Sequence, residues 1–201
     1  NALWRRSYFK RSILKEDGSY PVRMTRIVVA VDPAVTNSPG SDETGIVAVG
    51  LGADGFGYVL ADESGRYRPE EWARRAVSLY RSLDADRIIG EVNNGGDLIE
   101  AAIRAQAADV PYKAVRASKG KVARAEPVAA LYERGKVVHI GQFPELEDQC
   151  CAITVGFDSK VAGWSPDRVD ALVWGLTELF PALSARRSTM QEMPKPQFSM
   201  I

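Results

Sequence analysis

Four carboxylates in this sequence sit where secondary-structure elements end, a placement that suits chemistry. Asp32 closes a continuous β-branched run, Ile27-Val28-Val29-Ala30-Val31. Glu91 closes a second run, Arg87-Ile88-Ile89-Gly90, and glutamate is disfavoured in an apolar strand. Asp167 and Asp170 lie in the first turn of a helix announced by Ser165 as N-cap and Pro166 at the first helical position. Separated carboxylates that converge have one good physical use, as oxygen ligands for hard divalent cations. Two such ions about 3.5–4 Å apart can activate a water and stabilise the leaving oxygen of a phosphodiester in in-line displacement. Each acid alone has a plainer role: Asp32 before Pro33 can start a turn, and Asp167 can complement the helix dipole. Asp170 is harder to dismiss. The apolar stripe of its helix is Val169, Leu172, Val173, Leu176 and Phe180. At about 100° per residue Asp170 falls roughly 110° from the stripe's centre, and Asp167 nearly opposite it. A carboxylate at the edge of a buried face is costly when unpaired, which makes Asp170 the preferred ligand of the two.

The elements that must position these acids read as follows. Ile27–Val31 is a buried central strand, and Thr44–Leu51 and Phe56–Ala61 are two more, joined by the turn Gly52-Ala53-Asp54-Gly55. Short connections make the three an antiparallel meander. Pro69 opens a helix with Trp72, Ala76, Leu79 and Leu83 at helical spacing. The strand 87–90 follows, then a turn through Asn93-Asn94-Gly95-Gly96 into a helix over 97–107. Beyond it come a strand at 112–115, a helix over 122–134 stopped by Gly135, a strand at 137–140, a helix near 145–153 and the final helix. The order is that of a mixed α/β sheet in which the first and fourth strands can lie side by side and bring Asp32 to Glu91.

Composition narrows the options. The chain has 201 residues, the length of one domain with extensions. With 45% hydrophobic and 26% charged residues it is neither disordered nor fibrous. No apolar stretch approaches the roughly 20 residues that span a bilayer. The N-terminus has no basic-then-apolar leader, which argues against secretion, and the first residue is Asn1, not Met, so a piece of a longer protein is expected. Cys150 and Cys151 are adjacent, which suits neither a redox pair nor a zinc knuckle, and they read as reduced, buried residues. His139 is the only histidine, so sites built on paired histidines are excluded; it reads as a strand residue with no catalytic part. Gly120-Lys121 is followed by Val122, so there is no Walker A loop.

Net charge is zero, 26 basic against 26 acidic residues, although nucleic-acid-binding domains are usually basic. The distribution is uneven. Residues 1–26 and 113–136 each hold seven Lys/Arg against two acids. Lys119, Lys121 and Arg124 fall in a loop and helix start, a place where cations and backbone N–H groups can hold phosphate. The plainer alternative for them is a solvated helix face.

Four segments, IVVAVDPAVTNSPGSDETGIVAVG, DRIIGEVNNGGDLIE, SKGKVARAEPVAALYERGKVVHIG and SPDRVDALVWGLTEL, resemble the C-terminal nuclease domain of phage large terminase subunits and their prophage and gene-transfer-agent relatives. The resemblance runs from Ile27 to Phe180. It implies an α/β, ribonuclease-H-like fold of the RuvC and terminase nuclease type, with a mixed sheet of five or more strands flanked by helices. It also implies a two-metal, Mg²⁺- or Mn²⁺-dependent endonuclease that cuts concatemeric viral DNA. The family's metal-binding acids fall on Asp32, Glu91 and the DRVDA segment, where Asp167 and Asp170 both contribute as in RuvC-type resolvases. Asp42 matches an auxiliary acid. On this reading residues 1–26 are a linker remnant from a preceding ATPase domain, 27–180 the nuclease, and 181–201 a flexible tail. The implied partners are double-stranded DNA, that ATPase domain, a portal protein and a small terminase subunit, in the cytoplasm of a bacterial host and at no membrane.

Competing readings remain open. A RuvC-like junction resolvase is disfavoured by the SDETG loop and the basic N-terminus. A non-catalytic docking module of the packaging machine would use the same sheet without the metals. A sugar-kinase-like ATP binder wants a Gly-rich loop after the first strand, where Asp32-Pro33-Ala34 stands. A restriction-type core wants Glu-x-Lys, where Glu91-Val92-Asn93 stands.

Overall fold

The computed structural model describes residues 1–33, 43–92 and 97–184. A short strand, β1 (Lys10–Ser12), precedes the β-branched run, which becomes the middle of β2 (Met24–Asp32) and is buried on both faces. β3 (Gly45–Gly52) and β4 (Gly57–Asp62) complete the antiparallel meander. The chain then leaves through α1 (Pro69–Ser82) and returns as β5 (Arg87–Glu91), parallel to β2. It passes through α2 (Asp97–Gln106) to β6 (Tyr112–Val115), parallel to β5. α3 (Lys121–Glu133) ends at Gly135, whose φ of +65° is the left-handed stop expected there. β7 (Val137–Ile140) pairs in parallel with β4 on one side and β1 on the other. α4 (Pro144–Ala152), α5 (Ser159–Ala162) and α6 (Asp167–Leu179) follow. The result is one seven-stranded mixed sheet, in the order β1-β7-β4-β3-β2-β5-β6.

The pleat decides which residues meet. Val28 and Ala30 of β2 and Ile89 of β5 pack with α6, α3 and α4 on one face, while Ile27, Val29, Val31 and Ile88 pack with α1 and α2 on the other. Because side chains alternate, Asp32 shares the face of Val28 and Ala30, and Glu91 that of Ile89. The β2–β5 register runs from Val28 opposite Arg87 to Val31 opposite Gly90. One further step brings Asp32 level with Glu91, at the ends of two parallel strands beneath α6.

Sequence and structure differ at the N-terminus. Residues 1–26 read as a lead-in, yet Trp4 and Phe9 are buried in the α6-side core against Tyr132, and β1 forms the sheet's edge. Arg6 and Arg11 pair there with the buried Glu147 of α4. The segment was missed because Lys10-Arg11-Ser12 has no apolar alternation, and its apolar contacts are long-range. Among the described residues, no helix is long and apolar enough to cross a membrane.

Candidate metal centre

α6 delivers two acids to the strand ends because two glycines let it lie close to the sheet. Gly45 pairs with Asp32 across β2–β3, and a Cβ there would stand 2.0 Å from the Asp167 carbonyl oxygen. Gly175, two turns along α6, would place a Cβ 2.7 Å from Val49. The first turn of α6 is therefore pressed onto β3 directly beside Asp32. Arg168 holds it there. Its Nη1 donates to Asp62 Oδ2 at 2.8 Å, and its Nε donates to Glu43 Oε2 at 2.8 Å. Nothing in the local sequence marks this clamp, since Arg168 simply stands with Val169 between Asp167 and Asp170.

Asp32, Asp167 and Asp170 each offer a carboxylate oxygen within 4.8 Å of the others, and all three are buried. Burial and the carboxylates of Asp170, Glu91 and Asp167 push the Asp32 carboxyl well above the usual range, against a smaller opposing pull from Lys121. Asp170 is also raised by burial, although Lys121 and Arg124 work against the shift. Burial lowers the Lys121 ammonium, but the charges of Asp170, Asp32 and Asp167 outweigh it and hold its pKa above the ordinary value.

The fourth acid stands beside this group. Glu91 accepts from Trp174 Nε1 at 2.7 Å and ion-pairs with Arg124 at 3.2 Å. Arg124 lies over the Trp174 ring, 4.5 Å from its centroid, and reaches Asp170 at 3.6 Å. Lys121 pairs directly with Asp170 and donates to Ser165 Oγ at 3.1 Å. Ser165 thus receives a lysine instead of capping α6, whose cap position is Pro166. Of the three cations expected to hold phosphate, Lys121 and Arg124 turn toward the carboxylates, and Lys119 is exposed on the preceding loop. Asp167, placed by the helical wheel opposite the core stripe, is only 5% exposed. The wheel averages a whole helix against one face, whereas Asp167 is the first residue of α6, where the chain lies on Gly45 and the carboxylate reaches the acid group. Asp42 lies outside the described residues.

His139 lies in β7 as its run predicts, and of the two cysteines only Cys150 is fully buried. His139 is fully buried between Tyr132 Oη at 2.9 Å and Glu147 Oε1 at 3.0 Å, and burial keeps its pKa low despite Glu147. Cys150 is buried, Cys151 half-buried, and both are free.

Residues 29–179 match the family described as terminase RNaseH-like domain. The chain belongs to that family. Its α/β fold is ribonuclease-H-like, and solved terminase nucleases share it. The nuclease domain of the Thermus phage P74-26 large terminase is 11% identical, with a TM-score of 0.65 over 89% of this chain and 95% of that one. A mutant nuclease domain of the large terminase subunit gp2 of bacterial virus Sf6, solved with manganese, is 16% identical, with a TM-score of 0.62 over 88% and 99%. A large terminase from a thermophilic bacteriophage is 12% identical, with a TM-score of 0.60; the match covers 89% of this chain and 45% of that one. No curated protein matches the chain by sequence. This terminase RNase H-like domain thus carries a buried acid group at the ends of its central strands.

Proposed function

We propose that this domain is the nuclease of a viral DNA-packaging terminase large subunit, a two-metal-ion endodeoxyribonuclease acting on concatemeric double-stranded DNA. The observation that carries this reading is the group of Asp32, Asp167 and Asp170, three buried carboxylates converging on a terminase RNase H-like fold. Burying three acids together costs the fold both desolvation and repulsion. An all-carboxylate oxygen donor set fits hard divalent cations. Asp32, Asp167 and Asp170 would hold them, with Glu91 adjoining. Mg²⁺ or Mn²⁺ there supplies positive charge that lowers the pKa of a water and stabilises the departing 3′ oxygen.

The chain's own residues do the remaining work. β2 and β5 fix Asp32 and Glu91 at adjacent strand ends, and Arg168 anchors the turn that carries Asp167 and Asp170. Trp174 orients Glu91 and shields its pair with Arg124. Lys121, Arg124 and the exposed Lys119 can exchange part of their pairing for phosphate oxygens when a backbone enters. On this reading residues 27–180 hold the catalytic unit. An ATPase motor of the same protein, a portal protein and a small terminase subunit are its partners, at the procapsid in the host cytoplasm.

The test is plasmid nicking and linearisation in Mn²⁺ or Mg²⁺, beside Asp32→Ala and Asp170→Ala. The parent should cut and both variants should not. Cutting that persists in both variants refutes the site, and no cutting by the parent in either metal favours the docking module.

A further inference from the structure

A basic groove leads away from the acid group along α6. Its far end is a depression of about 550 Å³ whose charged lining among the described residues is Arg26, Arg87, Lys113 and Arg116 against a single acid, Glu178. Glu178 is nearly buried and gathers three of these cations: Arg26 at 2.8 Å, Lys113 at 2.7 Å and Arg87 at 3.6 Å. One carboxylate cannot neutralise three cations, whose side chains stay 34–47% exposed. Glu178 thus fixes their positions and leaves a surplus of positive charge facing outward. A second depression joins this one to the acid group. The two share Arg116, Trp174, Thr177 and Ser184, and the second adds Lys119 and Arg124 with no acid among the described residues. Trp174 and Arg124 are also the partners of Glu91, so the groove is continuous with the site.

We propose that this groove carries the phosphodiester backbone of the DNA strand on one side of the scissile phosphate, over Arg116 and Lys113 and on to Arg87 and Arg26. The proposal rests on the nuclease reading above. The eight residues from Asp170 to Glu178 span about 12 Å of helix. At about 3.4 Å of duplex axis per nucleotide of one strand, that distance covers at most three to four nucleotides. Charge complementarity selects the occupant: a surplus of fixed cations matches a polyanion. The chain's own terminal segment is a poor match, since residues 185–201 carry Arg186, Arg187 and Lys195 against Glu192.

The experiment measures binding of a fluorescein-labelled 30-base-pair duplex by anisotropy, in EDTA, across a salt series. Lys113→Ala/Arg116→Ala should lower the slope of log Kd against log salt by about 2, and Arg116→Ala alone by about 1. Among the described residues Arg116 makes no ion pair, so the single variant tests the groove without disturbing the Glu178 cluster. At 0.1 M salt the double variant should bind more than about 10-fold more weakly. Removing two exposed cations elsewhere, Arg74→Ala/Arg134→Ala, should leave the slope unchanged. Unchanged slopes in both groove variants, with a parent that still cuts DNA, overturn the groove and spare the nuclease. A groove-dependent slope in a parent that never cuts with Mn²⁺ supports the groove and sinks the nuclease. A polyglutamate peptide bound by the parent and released by the double variant, with the DNA slope unmoved, overturns the proposal in favour of an acidic protein partner.

Discussion

Asp32→Asn removes one negative charge from the acid group while keeping the side chain's shape. At 4.8 Å, the outer limit of the group, two carboxylate charges repel by about 3.5 kcal/mol at an effective dielectric of about 20. Asp32 faces two such partners, with Lys121 opposing. The site need not bear the whole of that repulsion, because Asp32 can keep a proton. At pH 7, protonating a carboxyl of ordinary pKa near 3.9 costs about 1.4 kcal/mol per unit, about 4 kcal/mol in all, and this caps the penalty. The amide should therefore stabilise the metal-free protein by about 1–4 kcal/mol, a rise of about 3–12 °C in Tm for a chain of this size.

The pH dependence gives the sharper check. A carboxyl raised in the folded state contributes stability that is complete below its unfolded pKa, near 3.9, and is lost as pH rises through the raised folded value. The gap between Asp32→Asn and parent should thus be near zero at pH 4 and widen as pH rises. Thermal unfolding in EDTA at pH 4 to 8 measures it, and a repeat in millimolar Mn²⁺ should raise the parent's Tm and not the variant's. A variant that melts at or below the parent at pH 7.5, or a gap that ignores pH, refutes the account of the acids as a store of repulsion.

Other substitutions probe the supporting residues. Arg168→Ala leaves Asp62 and Glu43 without their cation and should cost about 3 kcal/mol or more by urea unfolding, because Asp62 is buried. Gly45→Ala forces the Asp167 carbonyl aside and should cut plasmid cleavage about 100-fold, from a misplacement on the order of 1 Å. Trp174→Phe removes the donor to Glu91 and should weaken Mn²⁺ binding about 10-fold by calorimetry. His139, held below its ordinary pKa of 6.5 by burial, contributes stability present above that value and lost as pH falls through its folded pKa. In an Asp32→Asn background, which removes the larger of the two opposing carboxyl titrations and leaves that of Asp170, urea midpoints should fall between pH 7.5 and 5.5. His139→Leu should flatten that slope.

Local pattern carried much of this architecture into view. The run at 27–31 and the acid that ends it are neighbours in sequence, as are 87–90 and Glu91. Two strand ends with acids, one helix with a proline start and short turns are enough to draw the sheet centre. Contacts between distant segments were not legible. Asp167 looks solvent-facing on a wheel because nothing in residues 165–180 announces that Asp32 and Gly45, more than 100 positions away, will meet the first turn of α6. Lys121 and Arg124 read as cations for phosphate because their spacing records no direction, and only the fold turns them toward Asp170 and Glu91. Arg168 escaped notice because its partners, Glu43 and Asp62, lie more than 100 positions away.

On the nuclease reading, the zero net charge bears on how DNA would reach the site. Charge here is cancelled locally, in pairs and clusters: Lys121 and Arg124 with the acid group, Arg168 with Glu43 and Asp62, Arg6 and Arg11 with Glu147. Outside the surplus beside Glu178, a surface so balanced adds little field to steer a duplex from afar. At 0.15 M salt, attraction from the surplus cations beside Glu178 fades within about 8 Å, so the groove grips only a backbone already in contact. A nuclease that must roam and find DNA would gain from a basic surface. A nuclease fed by a motor would not, and a strong field there would only hold back DNA that has to keep moving. On the packaging reading, a locally balanced domain to which a motor delivers DNA needs no such field.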